Sequence, residues 1–270
     1  MDSAIGIFDS GIGGLTVLKE IMNILPNENT IYLGDTARVP YGIKSAETVI
    51  RYSLENAQFL LSKNIKMLVV ACNTASAVGL STLMERFHLP IIGVIEPGAR
   101  KAAHSTERDR IGIIGTERTI KSGAYVQSIK KINPGIETIS KPCPLFVPLV
   151  EEGWTDNEIA FLTAQIYLQE LEDADIDTLI LGCTHYPLLK DVIRKVLGEE
   201  VLLVDSAEET AIEVSMIMRS HNLLRSKHED AVHQFYVTDA PESLIKGGRR
   251  FLQAMHISDV KQTILGSVNE

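Results

Sequence analysis

An α/β fold built on parallel sheet is what this chain predicts, and three observations predict it. Short apolar runs closed by Gly, Pro, Asn or Asp alternate with longer segments of helical period, the pattern of βα units. The same run of elements recurs at a nearly constant offset. The composition, 45% hydrophobic and 23% charged over 270 residues, is that of an ordinary globular protein long enough for one large domain or two medium ones.

Taken in order, the first strand candidate is Ala4–Phe8, closed by Asp9 and Ser10, after which Gly11, Gly13 and Gly14 lead into a helix over Leu15–Ile24. Thr30–Leu33 is the second strand, and the loop Pro40-Tyr41-Gly42 leads to a helix over Ser45–Lys63. Met67–Ala71 reads as a strand built for burial, yet it finishes in Cys72-Asn73-Thr74 before a helix over Ala75–Phe87. Ile91–Ile95 closes on Glu96. Ile111–Ile114 precedes a helix over Ile120–Lys131, and Glu137–Ser140 precedes one over Asn157–Glu172. The run Thr178–Leu181 also ends in polar residues, Cys183-Thr184-His185. Val201–Val204, a helix over Ala207–His221 and a strand over Gln234–Val237 complete the series.

Folding the strand series back on itself aligns Ile5 with Ile111 at an offset of 106, Thr30 with Thr138 at 108, Cys72 with Cys183 at 111 and Glu96 with Asp205 at 109. The matched strands also agree in their polar endings, Ser10 with Thr116 among them. The expectation is two similar half-domains, each a small parallel sheet flanked by helices, related by pseudo-twofold symmetry with the site between them. The first takes 1–97 with 207–270, the second 98–206.

A net charge of −9 and a pI near 5.3 argue against a nucleic-acid partner, because phosphate contacts need clustered Lys and Arg. The basic stretch Lys246-Gly247-Gly248-Arg249-Arg250 reads as a solvated surface turn. A small anionic ligand stays open, since a local pocket can be donor-rich on an acidic protein. No basic n-region opens the chain and no apolar run nears the roughly 18 residues of a membrane span, so a cytoplasmic location and no membrane partner are expected. Three cysteines without a secretion signal read as reduced thiols. A homodimer is left open.

Ligands of open parallel sheets sit at the carboxyl ends of the strands, so polar residues gathered there are site candidates. From the first half these are Asp9, Ser10, Cys72, Asn73 and Thr74 with Pro40, Tyr41 and Gly42. From the second they are Thr116, Thr119, Glu151, Cys183, Thr184 and His185. Halves facing each other would bring one thiol to each side of a ligand. Inverting a stereocentre by moving a proton needs a base on one face and an acid on the other, which such a pair supplies. A thiolate is a competent base only if its proton has a partner; Asp9 near Cys72 and His185 near Cys183 are the candidates.

Other readings stand beside this one. Gly11–Gly14 offers backbone N–H groups to an anion, or is simply a tight turn; the dinucleotide fingerprint fails at Thr16. Cys143, between two prolines, reads as apolar filler. A Cys-x-His pair without a second pair argues against metal. Asp35 reads as a turn former. A hydrolase with Cys183 as nucleophile, His185 as base and a carboxylate as orienter, without need of Cys72, or a two-lobed binding module for an amino acid, remains open.

FDSGIGGLTV, GDTARVPYG, VVACNTASA and LGCTHYPLL, in this order over most of the chain, resemble the motifs of the glutamate racemase family within the wider aspartate/glutamate racemase superfamily. The resemblance implies interconversion of L- and D-glutamate without a cofactor, for bacterial peptidoglycan. It also implies that Cys72 and Cys183 are acid and base, with Asp9, His185 and Glu151 assisting. Substrate-holding positions fall on Ser10, Pro40, Tyr41, Gly42, Asn73, Thr74, Thr116, Thr119 and Thr184.

Overall fold

The computed structural model describes residues 3–226, 230–252, 257 and 259–266. Two parallel sheets carry the fold. The first contains β1 (Ile5–Asp9), β2 (Thr30–Gly34), β3 (Met67–Val70), β4 (Ile91–Gly93), β9 (His233–Val237) and β10 (Val260–Gln262) in the order β10-β9-β2-β1-β3-β4. The second contains β5 (Arg110–Gly115), β6 (Glu137–Pro142), β7 (Thr178–Gly182) and β8 (Leu202–Asp205) in the order β6-β5-β7-β8. The order β2-β1-β3-β4 thus recurs as β6-β5-β7-β8, and the expected duplication is present in the topology.

Register makes the duplication residue-specific and corrects one of its pairs. Ile5 pairs with Thr30 and Met67, as Ile111 pairs with Thr138 and Thr178. Val70 pairs with Gly93 while Leu181 pairs with Asp205, so the counterpart of Asp205 is Gly93, not Glu96. Strand β4 stops at Gly93, and Glu96 lies exposed in the first turn of a helix, α4 (Ile95–Ser105). Pro97 is tolerated there because an early helical N–H needs no partner. The run expected to extend to Ile95 therefore ends two residues sooner.

Each helix starts where its local chemistry allows. Helix α1 (Leu15–Ile24) follows the glycine turn, and α2 (Ala46–Ser62) is capped by the Ser45 side chain, which accepts from the Thr48 N–H. Helix α3 (Asn73–Arg86) starts directly after Cys72. The single helix expected over Ile120–Lys131 is two, α5 (Glu117–Ser122) and α6 (Ala124–Ile132), because Gly123 sits at φ 67, the left-handed conformation that closes one helix before the next opens. Helices α7 (Phe146–Glu152), α8 (Glu158–Asp173), α9 (Lys190–Leu197), α10 (Ser206–Ser220) and α11 (Pro241–Leu252) complete the described set. Asn157 and Asp205 cap α8 and α10 through their side chains.

The chain after Asp205 returns to the first sheet. Strand β9 pairs with β2, and α10 lies against α1. One continuous core runs from Ile7, Leu18 and Val69 through Ala211 and Val214 to Leu179 and Leu181, joining the inner faces of both sheets. The stretch Lys246–Arg250 is not a solvated turn: it lies within α11, with Gly247 and Gly248 buried. Among the described residues, no helix is long and apolar enough to cross a membrane.

Candidate active site

The carboxyl ends of β1, β3, β5 and β7 converge. Asp9, the last residue of β1, is fully buried, and its Oδ2 accepts from the Gly11 N–H at 2.9 Å. Its Oδ1 has no hydrogen-bond partner. Burial raises the Asp9 pKa, against the opposing pull of His185 and of the N–H groups of Gly11, Gly14 and Ser10. Cys72 follows β3, its Sγ 3.5 Å from the Ser10 hydroxyl. Burial, then the charge of Asp9, pushes the Cys72 thiol up to about 12.

On the other lobe, the Cys183 Sγ lies 4.0 Å from His185 Nδ1, and His185 Nε2 lies 3.2 Å from Oε1 of Glu151 on α7. Burial opposes the imidazolium, but the bonds to Cys183 and Glu151, with the charges of Cys183 and Asp9, outweigh it and push His185 up to about 10. His185 is buried, whereas the Glu151 side chain is 40% exposed. Asp9 thus acts electrostatically on a thiol of one lobe and an imidazole of the other.

The glycine turn explains how the lobes come this close. A Cβ on Gly13 would lie 2.2 Å from Thr184 Oγ1 and 2.5 Å from His185 Nδ1, and one on Gly14 would lie 2.5 Å from the Asp9 Cβ. The Thr16 hydroxyl donates to the Gly13 carbonyl at 3.0 Å, with the Thr184 carbonyl at 3.4 Å. These glycines serve close approach of the β1–α1 turn to the opposite lobe, and Gly13 and Gly14 have no positive φ.

A second lobe contact holds the threonines. Thr74, Thr116 and Thr119 form a triangle of hydroxyls at 2.9, 3.2 and 3.0 Å. Gly42 packs on it, since an added Cβ would meet the Thr116 Cβ at 2.6 Å. Pro40 is exposed beside it, and the Tyr41 ring is buried. The Tyr41 hydroxyl is committed within the first lobe: it donates to Asp35, directly after β2, and accepts from Asn56 Nδ2 at 3.0 Å. Asp35 is more than the turn former expected, because its fully buried carboxylate also accepts from Arg38 at 2.7 Å and Thr238 at 3.0 Å.

Two residues absent from the sequence-based candidates complete the picture. Tyr125 on α6 donates its hydroxyl to Asn73 Oδ1 at 2.7 Å and lies 2.9 Å from the Ser206 hydroxyl. The Asn73 amide NH2 is thereby turned away from Tyr125. No motif flags Tyr125 or Ser206; only the meeting of two lobes does. Cys143 is buried in the core with its Sγ 3.7 Å from the Lys141 carbonyl.

A cavity of about 290 Å³ opens beside Gly11, Val39, Glu151 and Arg250, and one of about 550 Å³ beside Thr16, Pro187, Asp205, Arg250 and Phe251. A smaller space of about 10 Å³ touches Asn73, Cys183, Thr184 and Ser206.

Duplicated parallel sheets, each followed by a buried thiol and joined by contacts between their strand-end loops, define a class. The model described as Asp/Glu/Hydantoin racemase matches residues 5–214, and the chain belongs to that family. Within it, the glutamate racemase of Geobacter metallireducens is 60% identical over 267 residues, 99% of this chain and 98% of its own. A glutamate racemase isoform from Bacillus anthracis has a structure similar to this one with a TM-score of 0.93 at 42% identity, covering 97% of this chain and 98% of that one. The glutamate racemase of Francisella tularensis, solved in complex with D-glutamate, likewise gives 0.93 at 40% identity over 99% and 100%.

Proposed function

We propose that this protein interconverts L- and D-glutamate by two-base proton transfer at the α-carbon, with Cys72 and Cys183 on opposite faces of the substrate. The observation that carries the reading is a pair of buried thiols at register-equivalent strand ends, each beside a titratable partner, with the Asp9 carboxylate acting on both sides. The names of the relatives support glutamate as substrate.

One cysteine, as thiolate, takes the α-proton while the opposite thiol returns one to the other face. Asp9 receives and supplies the proton of Cys72, a role for which its unpartnered, buried Oδ1 is suited. His185, held by Glu151, does the same for Cys183. Ser10, Asn73, Thr74 and Thr184 hold the α-carboxylate and amine, with Thr116, Thr119 and the loop Pro40–Gly42 closing over the rest. Fixed donors in a dry site stabilise the enolate-like charge that develops on the carboxylate. The scheme draws its acid and base from the chain alone and needs no cofactor.

Cys72 and Cys183 are both buried, so glutamate enters as the lobes part. The units proposed to part are 1–97 with 207–270, and 98–206. In support, α4 shares a core with β5 and β7, while β9 extends the first sheet. The D-glutamate formed would serve peptidoglycan assembly in the cytoplasm, as the resemblance implies.

Cys72→Ala and Cys183→Ala test the scheme separately. Each should lower racemisation by at least about 10²–10⁴-fold, the usual worth of one proton-transfer group. Racemisation at near the wild-type rate in either variant would make the two-base scheme wrong. Glutamate incubated in D₂O should gain deuterium at its α-carbon as it racemises.

A further inference from the structure

The basic stretch at the end of α11 does something the scheme above leaves unassigned. Gly247 lets α11 lie directly on the β1–α1 turn, since an added Cβ would sit 2.6 Å from Ile12 Cδ1, and Gly248 makes room for Ile257, whose Cδ1 an added Cβ would meet at 2.5 Å. That approach carries Arg250 and Phe251 to the opposite lobe. The Arg250 guanidinium donates to the Glu151 carbonyl, with the Val150 carbonyl at 3.4 Å. Both belong to the last turn of α7, where carbonyls run short of partners and the helix dipole favours a cation. Gly153 follows at φ 79, and a Cβ there would lie 2.9 Å from Arg250 Cζ, so the glycine leaves the guanidinium its place. The Phe251 ring meets the His185 ring edge-on, centroids 5.6 Å apart at 86°.

We propose that Arg250 is a positioning residue. By clasping the end of α7 it holds Glu151 against His185, while Phe251 fixes the imidazole from its edge, so α11 sets the geometry in which Cys183 exchanges its proton. The proposal rests on the two-thiol reading, because it acts on only one of the two proton transfers.

The test is a comparison of Arg250→Ala, Glu151→Gln and the double variant, each assayed with both glutamate enantiomers, protiated and α-deuterated. Slowing the transfer at Cys183 makes that step limit kcat/KM. The isotope effect should then grow for the enantiomer Cys183 deprotonates and shrink for the other. Arg250→Ala should lower kcat by about 10–100-fold, in keeping with an ångström-scale displacement of a catalytic group. It should split the isotope effects in the same sense as Glu151→Gln, and the double variant should lose less than the product of the singles, because Arg250 acts through Glu151.

A merely structural role lowers both directions without splitting the isotope effects and multiplies with Glu151→Gln; either result overturns the proposal. If Glu151→Gln splits the effects and Arg250→Ala does not, the proposal alone fails. If Glu151→Gln splits nothing, Glu151 does not set the Cys183 transfer and the proposal falls, whereas the two-thiol reading fails only if Cys72→Ala or Cys183→Ala racemises at the wild-type rate.

Discussion

Adding one methyl group at Gly13 is the sharpest probe of the contact between lobes. The new Cβ would stand 2.2 Å from Thr184 Oγ1, 2.5 Å from His185 Nδ1 and 2.6 Å from His185 Cε1, where ordinary contact begins at 3.4 Å. The partners cannot swing clear. Thr184 and His185 are buried, and the His185 ring is bonded to Glu151 and held by Phe251. Relief therefore requires the β1–α1 turn and the end of β7 to separate by about 1 Å, the scale of displacement that costs roughly 10²-fold in rate when it falls on a reacting group. Overpacking of this kind also costs about 1–3 kcal/mol of stability. Gly11→Ala is the control, because its Cβ meets only Val39 Cγ2 at an ordinary 3.5 Å. Racemisation followed by optical rotation from each enantiomer, with thermal unfolding alongside, should show Gly13→Ala severely impaired and Gly11→Ala close to wild type. Equal effects in the two variants, or wild-type turnover in Gly13→Ala, would refute the argument that this turn sets the spacing of the lobes.

Three further outcomes are expected. Tyr125→Phe leaves buried Asn73 Oδ1 without its donor, so stability should fall by about 1–3 kcal/mol in urea titration and KM should rise as the amide loses its orientation. Glu28→Ala strands the buried ammonium of Lys66, and should cost about 3–5 kcal/mol while the remaining folded protein turns over normally. The folded state binds the His185 proton more tightly than the unfolded chain, about 10 against 6.5, so its contribution to stability is whole below pH 6.5 and is lost as pH rises towards 10. Cys72, raised from 9.0 to about 12, adds to the loss above pH 9. The urea midpoint should therefore fall between pH 7 and 10, and fall less in His185→Gln.

The strand ends were legible because burial and alternation of elements write themselves into apolar runs. β3 and β7 are wholly buried, and a polar cluster directly after such a run has few reasons to be there except a site. The duplication was legible for the same reason, since register keeps Cys72 and Cys183 equivalent. It misled at Glu96 because insertions of a few residues shift an offset without disturbing its average, and only hydrogen-bond register assigns Gly93 to Asp205. What lay beyond reach was contact across the lobes. Tyr125 on Asn73, Gly13 on His185 and Arg250 on Glu151 join residues from distant parts of the chain with no common spacing. Two glycines in a basic stretch look like a turn unless a neighbouring helix face is known to require their missing side chains.

On the proposed reading, duplication explains why two thiols are present but not why their surroundings differ. Register that superimposes Cys72 on Cys183 places Gly115 opposite Asp9 and His185 opposite Thr74. The carboxylate was thus built on one copy alone and the imidazole on the other alone. Burial and Asp9 hold the Cys72 thiol protonated, pushed up to about 12. On the opposite face His185, holding its proton up to about 10, supplies the counter-charge for a thiolate. Free enantiomers have equal energy, so kcat/KM must be the same in both directions whatever the enzyme does. Without isotopic labels, the asymmetry of the site can then appear only in kcat and KM separately, which must differ between enantiomers by a common factor. That factor should change with pH as Asp9 and His185 titrate in the complexes. A kcat ratio fixed at unity across the pH range would mean that the two partners perform the same task, and the unlike chemistry of the two faces would have no kinetic consequence.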